Sequence, residues 1–327
     1  MTVDARKPAR AAESSRKHES LLATRIAEMH YNEGLSNLAI AERLGISRFR
    51  VARMLDVALA TGIVTITVQA PVAIDSDLSR QVRERYHLAE ALVVPAEAGA
   101  TTSLARAAVG AVAAQFVAEL LNDGAKVGIA WGKTLAEFAV ASRQYRFPKC
   151  DAVQLLGNLP TLEGSMHAGD VLRMFAESLG GSVYPLHAPL ILPDESTAQG
   201  VKREASVRQT LAMYGELDVA ILGVGSWNPP SSHLFEVLPE ADRQRLLALN
   251  PTADICANIF DDKGTLIQGE FSSRAIGITA DEIAKVPMSI VIATGAEKAS
   301  ALRAVLNAGL PKAIVTDAAT AQGLLAR

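Results

Sequence analysis

Residues 125–157 read AKVGIAWGKTLAEFAVASRQYRFPKCDAVQLLG. An apolar run (125–131) leads into a glycine-containing turn, a helical stretch from about Thr134, and a second apolar run (151–157). Runs this apolar, without polar alternation, suit strands covered on both faces, as in a parallel sheet. The same grammar extends outward in both directions. Upstream lie a strand at 91–96 and an Ala-rich helix at 100–121. Downstream come a helix at 165–179, a short strand SVYPL (182–186), a helix at 201–214 and a strand LDVAILGVG (217–225). A strand pair follows at 253–267, with its turn expected at residues 261–264. Helices at 280–285, 296–308 and 318–326 then flank strands at 289–294 and 313–317. This alternation predicts an α/β fold, a doubly wound parallel sheet with helices on both faces.

The first 70 residues have a different texture. Residues 1–16 are rich in Ala, Arg, Lys and Ser and carry no hydrophobic period. They are expected to be a disordered basic arm or a solubilising tail. Leu21, Leu22, Ile26 and Met29 are expected to line one face of a helix over 18–33, which Gly34 stops. Residues 35–60 read LSNLAIAERLGISRFRVARMLDVALA. Ser36 suits an N-cap for a short helix whose apolar face would be Leu38, Ile40, Ala41 and Leu44. Gly45 breaks that helix, and Ser47 caps another with a Val51, Met54, Leu55 and Ala58 stripe. The next seven residues, 63–69, alternate as a strand, a wing or a connector. A capped helix, a Gly turn and a second helix opening on Ser and Arg form the pattern of a helix-turn-helix. Its second helix would place polar and basic residues in the major groove. Candidate DNA-binding residues are Ser36, Asn37, Ser47, Arg48, Arg50 and Arg53. An ordinary three-helix bundle with solvated arginines is the alternative.

Charge is divided in the same way. The chain of 327 residues has a formal net charge of −3, yet residues 1–60 carry ten Lys and Arg against seven Asp and Glu. A basic head on an acidic body suits nucleic-acid binding by the head. Cys150 and Cys256 are far apart in apolar contexts, which fits a reducing cytoplasm. No apolar run of membrane-spanning length is expected, and no apolar signal core opens the chain.

Three glycine-bearing turns fall at the ends of expected strands: GIAWGKT (128–134), LGNL (156–159) and LGVGS (222–226). Ligands of open α/β sheets bind beyond those strand ends. Glycines admit backbone N–H groups to a phosphate, and a helix N-terminus adds a favourable field. Three such turns together favour an anionic ligand, although glycines also serve βα loops for steric reasons.

The helix-turn-helix, the Trp-Gly-x-Thr turn (131–134), VQLLG (153–157), LGVGS, ADICANIFDDKG (253–264) and the stretch ATGAEKASALRAVLNAGLPKAIVTD (293–317) together resemble the SorC/DeoR-type sugar-binding transcriptional regulators. The resemblance covers residues 18–327. It implies a sensor domain similar to the glucosamine-6-phosphate and ribose-5-phosphate isomerase fold, phosphorylated sugar or polyol effectors, and a homotetramer. By that similarity Gly132, Lys133 and Thr134 would hold a phosphate. Gly157, Asn158, Gly223, Gly225 and Ser226 would line the same mouth, Asp254 would accept from sugar hydroxyls, and Lys298 would donate to ligand oxygens. Lys133 and Lys298 could instead be surface charges, Asp254 could cap a strand end, and Trp131 is expected as a core anchor. Leu156 departs from the pattern by offering no polar group. His167 and Asp170 could set effector specificity or cap the next helix.

The chain is thus expected to comprise an arm (1–16), a DNA-binding head (17–70) and an effector-binding, oligomerising body (71–327). The expected protein is a cytoplasmic regulator, not an enzyme, with no cofactor, no metal and no membrane partner. The alternative is a sugar-phosphate isomerase or deaminase-like enzyme with an added head. That would need a general base, for which Asp254, Asp261 and Asp262 are candidates. The six histidines, His18, His30, His87, His167, His187 and His233, show no metal-ligand spacing.

Overall fold

In the computed structural model, the described residues are 20–64, 74–95, 101–145, 147–159 and 168–326. They belong to two compact units that divide between Pro71 and Val72. The expected arm at 1–16, the strand residues 65–69 and His167 lie outside the described residues.

In the first unit, helix α1 (20–27) runs into a π turn, Glu28–Asn32. Helix α2 (Asn37–Leu44) follows, then α3 (Arg48–Ala60). Ser36 Oγ accepts from the Ala39 N–H at 3.2 Å, and Ser47 Oγ from the Arg50 N–H at 3.3 Å. Both expected caps are therefore made. Gly45 ends α2 in the left-handed region at φ 65°, where a Cβ would be strained. The core joins Ala23, Ile26, Ala27 and Met29 to Ile40, Ala41, Val51, Met54, Leu55 and Ala58. Two expected core residues are instead outside it: Leu21 is 70% and Leu38 60% exposed. At about 100° per residue, Leu21 lies about 140° around the helix from Ile26, and Leu38 about 160° from Ile40. Small Ala23 and Ala27 complete the face beside Ile26.

The second unit begins with α4 (Ser76–Tyr86), β1 (Glu90–Val94), α5 (Thr102–Leu120), β2 (Lys126–Ile129), α6 (Lys133–Ser142) and β3 (Cys150–Gln154). It continues with α7 (Ala168–Leu179), β4 (Gly180–Tyr184), α8 (Glu195–Lys202), α9 (Ala205–Ala212) and β5 (Val219–Leu222). Next come β6 (Gly225–Trp227), β7 (Pro230–Ser231), α10 (His233–Val237), α11 (Glu240–Leu247), β8 (Ala253–Ile255) and β9 (Asn258–Phe260). The last elements are α12 (Glu270–Arg274), α13 (Ala280–Lys285), β10 (Met288–Ala293), α14 (Ala299–Asn307), β11 (Ala313–Asp317) and α15 (Ala318–Leu325).

Seven strands form one sheet in the order β1-β11-β10-β5-β2-β3-β4, every neighbouring pair parallel. Helices α5, α6 and α7 pack side by side, and α4, α15 and α14 form a second group. From β2 the chain winds outward through β3 to β4, and from β5 it winds the other way through β10 to β11. Crossovers of one hand then place the two groups of helices on opposite faces. The order reverses between β2 and β5, which leaves a crevice beyond their carboxyl ends.

Helix α5 has the length and composition of a membrane span, against the expectation that no such run exists. It packs along α6 and against β1, β10 and β11. A third of its apolar stretch is buried, with Val109, Val112, Ala113 and Val117 in the core.

Several expected boundaries move. The strand expected at 217–225 stops at Leu222, and Gly225 opens a separate antiparallel sheet of order β7-β6-β8-β9. The helix expected at 201–214 is broken, because Glu204 caps a new helix by accepting from the Ser206 N–H at 2.8 Å. The hairpin at 253–260 turns at Cys256 and Ala257, with φ of 49° and 62°, not at residues 261–264. The Asn258 side-chain amide donates to the Ile255, Cys256 and Ile278 carbonyls and holds this tight turn. The turn at 261–264 exists as a second one, closed by the Phe260–Leu266 bridge. Both cysteines are free and buried, and burial pushes both thiols up.

Candidate functional site

In the first unit, Ser47, Arg48, Arg50 and Arg53 are all exposed at the start of α3; Arg53 lies opposite the Val51, Met54, Leu55 and Ala58 stripe, and Arg48 and Arg50 flank it. The Ser36 and Ser47 hydroxyls accept from backbone N–H groups as caps. The Asn37 Oδ1 is buried without a hydrogen-bond partner.

In the second unit, most of the expected effector residues meet at the reversal of strand order. Gly132, Lys133 and Thr134 open α6 directly after β2, and this helix start has no side-chain cap. Its first N–H groups therefore need a partner from outside the helix. Gly223 follows β5, and a Cβ there would lie 3.8 Å from Trp131 O, so the two turns touch. Gly225 pairs with Asp254 across β6 and β8. A Cβ on Gly225 would overlap the Asp254 carboxylate and come within 2.6 Å of Ser232 Oγ. Glycine at 225 is thus what admits the carboxylate.

Asp254 Oδ1 accepts from Trp227 Nε1 at 2.9 Å and from Ser232 Oγ at 2.5 Å. Burial pushes its carboxyl up from the ordinary range, while the Ser232 hydroxyl, the Lys298 charge and the Trp227 N–H pull it down. Lys298 Nζ donates to Val224 O at 3.0 Å and to Ser231 O. Burial lowers its pKa, the Asp254 charge opposes that, and the Lys133 charge adds to the lowering. This region thus holds a buried carboxyl, a half-buried amine and a second lysine at the start of a helix. Lys298 is bound into the fold, not displayed as a surface charge.

Three further polar atoms are buried without a partner: Trp131 Nε1 in the turn after β2, Ser226 Oγ in β6 and Thr294 Oγ1 in the turn after β10. An unmet buried polar group costs about 1–3 kcal/mol, so such groups are few in folded proteins. These three have bonding capacity left over for a partner outside the chain. Trp131 is half-buried, and its ring meets His233 edge-on with centroids 4.9 Å apart. Trp131, Thr294, Trp227 and Ser232 were not among the sequence candidates. Thr294 could have been found from the Thr-Gly pair that ends its strand. Trp227 and Ser232 carry no local signal.

Gly157 and Asn158 depart from expectation. The Gly157 N–H donates to Ile276 O at 2.9 Å, and a Cβ there would sit 2.7 Å from Leu190 N. This glycine serves a close chain crossing and has no N–H to offer a phosphate. The Asn158 side chain donates to Leu186 O at 3.4 Å and accepts from Gln154 Nε2 at 3.3 Å. Its amide ties the loop after β3 to the loop after β4. Asp170 lies in the first turn of α7, within 3.4 Å of Arg173.

A cleft of about 160 Å³ lies elsewhere, at α11 and α12, and is lined by Asp242, Arg245, Glu270 and Arg274 among apolar residues. Its charges face one another, with Arg274 Nη2 2.7 Å from Asp242 Oδ1 and Arg245 3.4 Å from Glu270. Among the described residues, no three His, Cys, Asp or Glu side chains are placed to hold a metal ion.

Residues 70–326 match the sequence family described as "Putative sugar-binding domain". The chain belongs to this family. It is the family of the SorC/DeoR-type regulators, and its curated relatives are transcriptional regulators. The deoxyribonucleoside regulator of Bacillus subtilis (strain 168) is 26% identical over 94% of this chain and 98% of its own length. The sorbitol operon regulator of Klebsiella pneumoniae is 27% identical over 93% of this chain and 97% of its own. The crystal structure of the full-length sorbitol operon regulator SorC from Klebsiella pneumoniae superposes with a TM-score of 0.71. It covers 94% of this chain and 100% of that one at 24% identity, a likeness of fold.

Proposed function

We propose that this SorC/DeoR-type chain is a cytoplasmic transcriptional regulator. Residues 17–70 bind operator DNA, and residues 71–327 bind a sugar or polyol that carries a phosphate. The observation that carries the effector half is the crevice between β2 and β5. An uncapped helix start with Lys133 lies there, the Lys133 and Asp254 charges both act on Lys298, and Trp131, Ser226 and Thr294 carry unmet polar atoms. The helix start and Lys133 suit a phosphate, and Asp254 with the unmet hydroxyls suits a polyol. The DNA half rests on the two capped helices and the exposed Ser47, Arg48, Arg50 and Arg53.

The body assembles a homotetramer and sets the spacing of the heads. Exposed Leu104, Val140 and Val183 on the body supply apolar surface for such contacts. Effector binding changes operator affinity through its different affinities for two arrangements of the assembly.

The test is thermal unfolding against a panel of free and phosphorylated sugars and polyols. A ligand at about 100 times its Kd adds about 2.7 kcal/mol to the folded state. That is a rise of roughly 5–11 °C for a domain of this size. Stabilisation by free sugars alone would remove the phosphate from the proposal. Asp254, with its raised pKa, is the group an isomerase would use as acid or base. Catalytic turnover of any sugar phosphate would replace the regulator-only reading.

Arg50→Ala is expected to weaken operator binding by roughly tenfold, the worth of one charged contact, and to leave the effector-induced thermal shift intact. Fluorescence anisotropy with labelled operator DNA checks this. An unchanged affinity would misplace α3 as the groove helix.

A further inference from the structure

Phe49 is 73% exposed, the highest exposure among the large hydrophobic side chains described in the molecule. It stands in the first turn of α3, between Arg48 and Arg50, one turn before Arg53. Counting about 100° per residue, Phe49 lies about 160° from Val51. It therefore crowns the face opposite the core stripe, the face it shares with Arg53. Among the described residues it takes no part in the core of the first unit. The Arg48 guanidinium lies over its ring, 5.0 Å from the centroid, a cation–π contact. An aromatic ring flanked by arginines on the outward face of such a helix meets a surface that is anionic at its rim and apolar at one kind of point. In the major groove of DNA that point is the thymine 5-methyl group, which arginine cannot read and an apolar side chain can.

We propose that Phe49 is a specificity-determining residue that reads thymine methyl groups. The inference rests on the DNA-binding reading of the first unit. Phe49 would select for thymine at fixed positions of each half-site, while Arg48 moves from the ring to the phosphate backbone or remains stacked on it. The arginines supply affinity, and the phenyl supplies a preference for one base.

The full-length protein is used to select duplexes from a random-sequence library. The recovered site is then resynthesised with deoxyuridine in place of each thymidine in turn. That exchange deletes one methyl group and leaves every hydrogen-bonding edge as it was. The wild-type protein should lose roughly three- to fivefold in affinity at one or more positions, the worth of a buried methyl group. Phe49→Ala should bind the substituted and unsubstituted duplexes alike, with unchanged thermal unfolding because the ring is exposed. Enrichment of a site with no sensitivity to methyl removal would overturn the proposal while leaving DNA binding in place. Sensitivity that persists in Phe49→Ala would overturn it equally. No enrichment of any sequence would overturn the DNA-binding reading, and this inference with it.

Discussion

Asp242→Ala is expected to destabilise the larger unit by about 3–5 kcal/mol, the cost of leaving a buried charge without its partner. Asp242 is 8% exposed and Arg274 7%, and their 2.7 Å contact joins α11 to α12. The same guanidinium donates to the Leu192 and Pro193 carbonyls at 3.4 Å, so it also ties down the segment before α8. Arg245 lies 3.9 Å from Asp242, but it is largely exposed and does not share the buried charge. At about 2–4 °C per kcal/mol for a domain of this size, the melting temperature should fall by roughly 6–20 °C. Asp242→Asn, which keeps an acceptor, should cost less than Asp242→Ala. Replacing both partners by apolar residues should recover much of the loss, since no unpaired charge then remains. A loss below about 1 kcal/mol in Asp242→Ala would mean that the pair behaves as a solvated surface bridge.

Thr134→Val is expected to weaken effector binding by roughly 10- to 150-fold and to leave operator binding without effector unchanged. Thr134 is the second residue of α6, whose start has no side-chain cap. In the proposed site its hydroxyl would donate to a phosphate oxygen, and a hydrogen bond to a charged group is worth about 1.5–3 kcal/mol. Valine keeps the shape and the β-branch, so the helix itself should be unaffected. Isothermal titration with the sugar phosphate found by the thermal screen gives the loss directly. Equal losses for effector and operator would refute the division of labour between body and head. An unchanged effector affinity would remove Thr134 from the site.

How much of this was legible in the sequence depends on how far apart the cooperating groups are. The Ser36 and Ser47 caps were readable because each bond closes over three residues. The stripe of α3 was readable because thirteen residues repeat one period. Helix α13 and strand β11 fall exactly where apolar pattern and caps place them. The failures have equally particular causes. Asp and Gly at 261–264 advertise a turn more strongly than Cys256 and Ala257 do, yet the hairpin closes at the latter pair because Asn258 brackets it. Gly157 looked like the phosphate-facing glycines and proved to be a packing glycine, a difference visible only once Leu190 lies beside it.

The elements themselves follow from local chemistry. Caps, periodicity and apolar runs act between residues a few positions apart, and these decide that two short capped helices precede a long alternation of strands and helices. The site follows from chain crossings. Lys298 reaches the Val224 carbonyl across 74 positions, and Asp254 takes the Trp227 N–H across 27. No local preference encodes such partners. The order of the sheet, with β5 laid beside β2, brings the ends of those strands together, and burial nearby pushes the Asp254 carboxyl up and the Lys298 amine down and leaves Trp131, Ser226 and Thr294 with bonds unmet.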